Sequence, residues 1–133
     1  SNLPEKVMWA AERLRGVQIE NRRAAELIKR FNFFNVLIYC DPPYMLETRN
    51  GKQYRCEMDA RGHEELLKVL LQHKGPVLIS GYDTNLYDDM LKGWTKTGNI
   101  SYSQTHSKKR EVLWMNFKPD NAQINLFDFM GGF

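Results

Sequence analysis

The sequence has no apolar run long enough to span a lipid bilayer, and we expect no signal peptide in it. Its two cysteines, Cys40 and Cys56, form no metal-ligand pattern, so no metal site is predicted. Because Cys40 falls in a segment expected to be buried, reduced thiols in a cytoplasmic protein are the simplest account. The nine glycines form no Gly-rich turn between a first strand and a helix.

A strong excess of one charge is also missing. Nineteen basic and 16 acidic residues leave a formal net charge of +3, which permits a polyanionic partner without requiring one. With 133 residues, 42% of them hydrophobic and 26% charged, the chain has the size and composition of one globular domain.

Hydrophobic periodicity predicts helices that alternate with buried strands, followed by a hairpin. The predicted helices cover residues 4–15, 21–31, 60–73 and 85–91, the predicted strands cover residues 17–20, 36–40 and 77–80, and an antiparallel hairpin covers residues 94–105 and 110–117. A strand, a helix and a second strand in that order indicate a right-handed parallel crossover, so the fold class is α/β. We expect Trp114 in the core and the two helical histidines, His63 and His73, in solvent.

The most informative stretch is VLIYCDPPY, residues 36–44. Its first five residues are continuously apolar and suit a strand buried on both faces of a parallel sheet. Pro42 and Pro43 end that strand, because each proline fixes φ and lacks an N–H, and they keep the backbone extended. Sites in open α/β sheets form at the carboxyl ends of strands, where Asp41 and Tyr44 are predicted to lie.

This tip suits one kind of chemistry, which is attack by a weakly nucleophilic exocyclic amine. The lone pair of a nucleobase amine is delocalised into the ring, and acceptors around the nitrogen draw it back toward a tetrahedral geometry. Asp41 offers a carboxylate, Pro42 offers a carbonyl whose direction is fixed by the next ring, and Tyr44 offers a face for an unstacked base. The alternative is a simple turn after a core strand.

Asp41-Pro42-Pro43-Tyr44 after a hydrophobic strand resembles the catalytic motif of the amino-group DNA methyltransferases, with aspartate first as in adenine N6 enzymes. Residues 17–31, 77–84 and 108–119 follow the order of the Dam-like adenine methyltransferases. The resemblance implies a partial Rossmann-like methyltransferase sheet, with parallel strands, helices and the C-terminal hairpin. It also implies S-adenosylmethionine-dependent methylation of a flipped adenine by the motif residues, in a nucleoid-associated protein of bacterial or phage origin.

The sequence departs from this family on the cofactor side. The Gly-rich motif and the target-recognition region are not found, so residues 1–119 resemble the C-terminal half of a catalytic domain, which we expect to be inactive alone. The resemblance assigns a cofactor contact to Asp41, whereas Arg23 stands where the family commonly has an acid. Glu20 is a candidate substitute, but a surface acid paired with Arg22 or Arg23 is an equal alternative.

Half a sheet is also expected to expose an apolar edge or face. The predicted cover is a second copy of the chain, an exchanged strand or an N-terminal companion segment.

The resemblance implies double-stranded DNA as a partner. Two basic segments are candidates for contacts with its phosphates, although each is also accounted for as solvated surface. Tyr82 and Asp83 match the family stretch beside the target pocket, but Asp83-Thr84 also fits a helix cap. The candidate DNA-binding residues are Arg49, Lys52, Tyr54 and Arg55 in the segment 45–62, and Lys108, Lys109 and Arg110 at the hairpin.

Residues 120–133 form a tail that the predicted domain does not need. Gln123, Leu126 and Phe127 resemble the peptide that binds the bacterial DNA sliding clamp, which inserts a few anchor side chains into a groove. The alternative is a tail that docks on its own domain. Two further functions therefore stay open, which are an inactive DNA-binding remnant and a clamp-interacting module.

Overall fold

The computed structural model describes residues 2–43, 58–102 and 108–119. In chain order the elements are α1 Leu3–Arg13, α2 Ala24–Arg30, β1 Ile38–Cys40, α3 Ala60–Leu71, β2 Val77–Tyr82, α4 Asn85–Met90, β3 Thr95–Tyr102 and β4 Lys108–Met115. The four strands form one sheet in the order β1-β2-β4-β3. The β1 and β2 strands are parallel, and β4 is antiparallel to both of its neighbours. This arrangement confirms the predicted α/β class and its C-terminal antiparallel hairpin.

The core lies between the sheet and the helices α3 and α4. Buried side chains of α3, β2, α4 and β4 form one apolar cluster, which includes Leu67, Leu70, Ile79, Tyr87 and Trp114. Leu78, Leu113 and Met115 form a smaller cluster, against which Phe117 packs. Because β2 and β4 are the two central strands, they carry most of the buried positions of the sheet, and Trp114 is in the core as predicted.

Side-chain caps fix where the helices begin. Asn2 and Glu5 form a capping box at α1, Asp59 accepts a hydrogen bond of 2.8 Å from the Gly62 amide at α3, and Thr84 accepts one from Tyr87 at α4. The first helix ends before Gly16, whose φ of 86° is the left-handed conformation that glycine adopts easily.

Two strand predictions are wrong in part. Residues 17–20 form no strand, and Ile19 is 90% exposed, because no strand of the described part lies beside this segment. The strand β1 is shorter than predicted and is not buried on both faces. In the described part of the chain it pairs on one side, with β2, and Leu37 and Tyr39 are exposed.

The prediction that His63 and His73 are solvated is also wrong. His63 is only 2% exposed, and His73 is buried as well. His63 shares a helix face with Leu66, Leu67 and Leu70, at the spacing that points side chains into the core. The Nε2 atom of His73 lies 2.8 Å from the Val36 carbonyl oxygen, which ties the end of α3 to the segment that leads into β1.

Large exposed apolar side chains concentrate in the N-terminal part of the chain. None of the residues of α1 is buried. Within the described ranges, no helix has the length and apolar character needed to cross a membrane. This exposed apolar set lies mostly on α1 and in connecting segments, with Tyr39 on β1, so the predicted exposed apolar edge or face of the sheet and its cover stay predictions. The members of the set are Leu3, Val7, Met8, Trp9, Leu14, Val17, Ile19, Phe33, Phe34, Leu37 and Tyr39.

Candidate active site

The candidate site lies where β1 and β2 end side by side. The parallel register pairs Cys40 with Ile79, so the next residues, Asp41 and Ser80, are also neighbours. The Ser80 hydroxyl donates a hydrogen bond of 2.9 Å to Oδ1 of Asp41. Asp41 is exposed, which leaves its carboxylate open to a ligand from solvent. The structure therefore places a carboxylate acceptor at the carboxyl edge of these two strands, where the sequence predicts Asp41 to lie.

The residues beside Asp41 are rigid and unreactive. Pro42 and Pro43 follow in the extended segment and are partly buried. Burial raises the pKa of the Cys40 thiol to about 11, so this thiol is protonated near neutral pH and is not a nucleophile.

Behind this edge lies a buried polar contact that the sequence did not reveal. The Nδ1 atom of His63 lies 2.7 Å from the Tyr87 hydroxyl, and the Tyr87 ring lies 5.0 Å from the Trp114 ring between centroids. Burial lowers the pKa of His63, while the backbone of Pro43 and the carboxylate of Asp59 act in the opposite direction. In the described part of the chain, Nε2 of His63 makes no hydrogen bond of good geometry. A buried histidine therefore packs behind the motif.

The buried histidine predicts a pH dependence of stability. The pKa of His63 in the folded state lies below its usual 6.5. Between these two pKa values the unfolded chain therefore binds a proton at His63 that the folded chain does not bind. The contribution of His63 to the free energy of unfolding should be constant well above pH 6.5 and should fall below it, by up to about 1.4 kcal/mol per pH unit, until the folded-state pKa is reached. Urea unfolding at pH 7.5 and 5.5 measures this loss.

The matched variant for this measurement is His63→Gln, which removes the titrating ring. Its free energy of unfolding should change less between pH 7.5 and 5.5 than that of the wild type. An NMR titration of the His63 ring gives the same answer directly. A midpoint at or above 6.5 in the folded protein would contradict the prediction.

Asp83, at the end of β2, is held by ion pairs. The Nζ atom of Lys96 lies 2.8 Å from Asp83 and 2.7 Å from Asp88, and Arg110 lies 3.6 Å from Asp83. The hydrogen bond from Lys96 lowers the pKa of Asp83 despite its partial burial. Asp83-Thr84 was a predicted cap for α4, and the capping side chain is that of Thr84, whereas Asp83 pairs with Lys96. The expected role of Arg110 at DNA stays a prediction, and its guanidinium already has an acidic neighbour.

Glu20 matches the alternative of a paired surface acid. Its carboxylate accepts hydrogen bonds from Gln18 at 2.7 Å and from Arg22 at 3.3 Å, and Arg30 lies 3.8 Å away. Arg23 instead pairs with Glu65 on α3. The proposed contact of Glu20 with a cofactor stays a prediction, and such a contact would compete with these three partners.

Many candidate residues lie outside the described part. Lys108 and Lys109 are the first residues of β4, but the structure does not describe their side chains. Among the described residues, no group of three or more histidine, cysteine or acidic side chains could hold a metal ion. The roles of the others stay predictions from the sequence. The candidate residues outside the described ranges are Tyr44 of the motif, the predicted DNA contacts Arg49, Lys52, Tyr54 and Arg55, and the predicted clamp contacts Gln123, Leu126 and Phe127.

Ser80 and His63 are the two residues near the site that the sequence analysis missed. Ser80 had a weak signal, because it is the polar residue that follows the apolar run Val77–Ile79 where a strand was predicted to end. His63 had a clearer one, because it continues the apolar face of α3 toward the helix N-terminus.

Comparison with known families adds an independent observation. A family model described as D12 class N6 adenine-specific DNA methyltransferase matches residues 2–112. The matched span contains the described edge formed by Asp41 and Ser80, together with both parallel strands. No curated protein matches the chain.

Proposed function

The chain belongs to the D12 class N6 adenine-specific DNA methyltransferases, and we propose that Asp41 and the Pro42 carbonyl hold the adenine amine during methyl transfer. The observation that carries this proposal is the exposed Asp41 carboxylate, which accepts a hydrogen bond from Ser80 at the carboxyl edge of two parallel strands. A ligand amine can reach this carboxylate from solvent, and the adjacent prolines give the backbone little freedom to move away.

The two acceptors act on the lone pair of the amine nitrogen. One N–H of the adenine amine donates to the free oxygen of Asp41, and the other donates to the carbonyl oxygen of Pro42. With both protons directed at acceptors, the lone pair withdraws from the ring and points at the incoming methyl group. The negative carboxylate also stabilises the positive charge that develops on nitrogen as the new C–N bond forms. As this bond forms, the bond between the methyl group and its donor would break, and a proton then passes from the nitrogen along its hydrogen bond to the Asp41 carboxylate to give the neutral product.

Tyr44 is proposed to stack on the adenine after the base leaves the helix. Such a base has lost its stacking neighbours in the duplex, and an aromatic face restores part of that energy. The resemblance of Asp41-Pro42-Pro43-Tyr44 to the catalytic motif of these enzymes supports this role.

S-adenosylmethionine would supply the methyl group as an electrophilic sulfonium. The described residues fit the amine better than they fit this cofactor. The glycines with positive φ in the described part are Gly16 and Gly93, and they follow α1 and α4 rather than opening a helix after a strand. Glu20 is engaged with arginines. We therefore expect most cofactor contacts to come from outside the described residues.

The test is transfer of a labelled methyl group from S-adenosylmethionine to duplex DNA, with the product identified by digestion and mass spectrometry. The chain is assayed alone and with a polypeptide that carries the family's Gly-rich segment. We expect N6-methyladenine in the second reaction. Duplexes in which N6-methyladenine replaces adenine are the control and should accept no label. Salt-dependent DNA binding without cofactor binding or transfer in either reaction would instead support an inactive remnant.

A further inference from the structure

We propose that Ser80 is a positioning residue that fixes the Asp41 carboxylate, so that one oxygen is occupied and the other is directed at the substrate amine. This inference rests on the proposed function, because only that function gives the second Asp41 oxygen an amine to bind. The hydrogen bond itself joins two side chains 39 positions apart in the sequence, on neighbouring parallel strands.

The geometry gives the Ser80 hydroxyl a definite direction. Its oxygen lies 2.9 Å from Oδ1 of Asp41 and 3.4 Å from the Cys40 carbonyl oxygen. A serine hydroxyl has a single proton to donate, and the shorter contact to a charged acceptor is the stronger one. The Tyr39 hydroxyl donates to the same serine oxygen at 3.4 Å, which leaves the serine proton for the carboxylate.

The site of Ser80 separates this role from packing. Its backbone is paired with Leu113 in the centre of the sheet, so its Cα position is set by the ladder rather than by its side chain. The side chain belongs to neither of the two apolar clusters that stabilise the sheet. Loss of the hydroxyl should therefore leave the fold intact and free the exposed Asp41 carboxylate to rotate.

The direct test measures the rotamer of Asp41 by NMR in the chain itself. Three-bond couplings to the two β protons of Asp41 should report one χ1 rotamer in the wild type and averaged rotamers in Ser80→Ala. Ser80→Cys, which has similar shape but a weak donor, should behave as Ser80→Ala does, and Ser80→Thr should restore one rotamer. Unchanged amide shifts of β2 and β4 establish that the fold is intact. Identical Asp41 couplings in wild type and Ser80→Ala would overturn the proposal.

The kinetic test uses the reaction mixture that methylates DNA. Ser80→Ala should lower kcat about 10- to 100-fold, the value of one hydrogen bond to a charged group, with KM for DNA unchanged. Ser80→Thr should recover most of kcat. In an Asp41→Ala background, the same change at Ser80 should have no further effect. A Ser80→Ala enzyme with wild-type kcat would refute the role of Ser80. If the wild type transfers no methyl group, the proposed function is wrong, and the NMR couplings alone then test whether Ser80 positions Asp41.

Discussion

Replacing Asp41 with alanine is expected to lower the rate of methyl transfer by about 10²- to 10³-fold, the loss typical when one preorganised charge-stabilising group is removed. The substitution removes the charged acceptor that draws out the lone pair of the amine and stabilises the charge developing on it. Because Asp41 is exposed at the end of β1, the change should cost less than about 0.5 kcal/mol of folding stability. Single-turnover rates with saturating DNA and cofactor measure the chemical step.

Two variants make this result specific to the site. Asp89→Ala removes the same charge from an exposed position on α4, so it controls for a general change in attraction to DNA and should keep the wild-type rate. Asp41→Asn keeps one acceptor oxygen without the charge, and its rate should fall between those of the wild type and Asp41→Ala. Wild-type transfer by Asp41→Ala would exclude the proposed mechanism.

Prediction of the fold succeeded where a segment's own pattern decides its structure. The short apolar run in Val77–Ser80, bounded by Pro76 and Gly81, favours a strand, and the observed β2 contains it and extends two residues further. The segment 17–20 failed for the opposite reason. A short β-branched segment becomes a strand only when another strand lies beside it, and the described structure provides none there. The exposure of β1 has the same origin, because its place at an edge is a property of the sheet.

The candidate site divides in the same way. Asp41 could be located from the sequence because an apolar run and two prolines mark the end of a strand locally. Ser80 could not be assigned a partner, since its contact with Asp41 depends on the parallel register of two strands. His63 is buried although histidine more often lies at or near the surface, because its position on the apolar face of α3 points its ring into the core. The helical spacing was the better guide.

The largest expected effect on stability is at Leu67, in the middle of α3. Its side chain is 0% exposed and lies in the main core cluster, so Leu67→Ala removes buried methyl groups and leaves a cavity between α3 and the sheet. The expected loss is about 2–5 kcal/mol, a large share of the roughly 5–15 kcal/mol that stabilises a typical domain. The midpoint of urea unfolding, monitored by circular dichroism, should fall accordingly.

Leu71→Ala is the matched control, because it makes the same substitution one helical turn further along α3, where the leucine is 44% exposed. Both variants lose the same atoms, so the difference between them mainly reports burial, with a small part from the helix propensity that alanine adds inside α3 but less at its last residue, Leu71. Leu71→Ala should cost only about 1 kcal/mol, since 44% of this residue's surface is already in water. Should Leu67→Ala fail to fold, Leu67→Met keeps most of the volume and should cost less than about 1.5 kcal/mol. Equal losses at the two leucines would mean that α3 does not pack on the sheet through the face that contains Leu67, and the core assigned to this chain would be wrong.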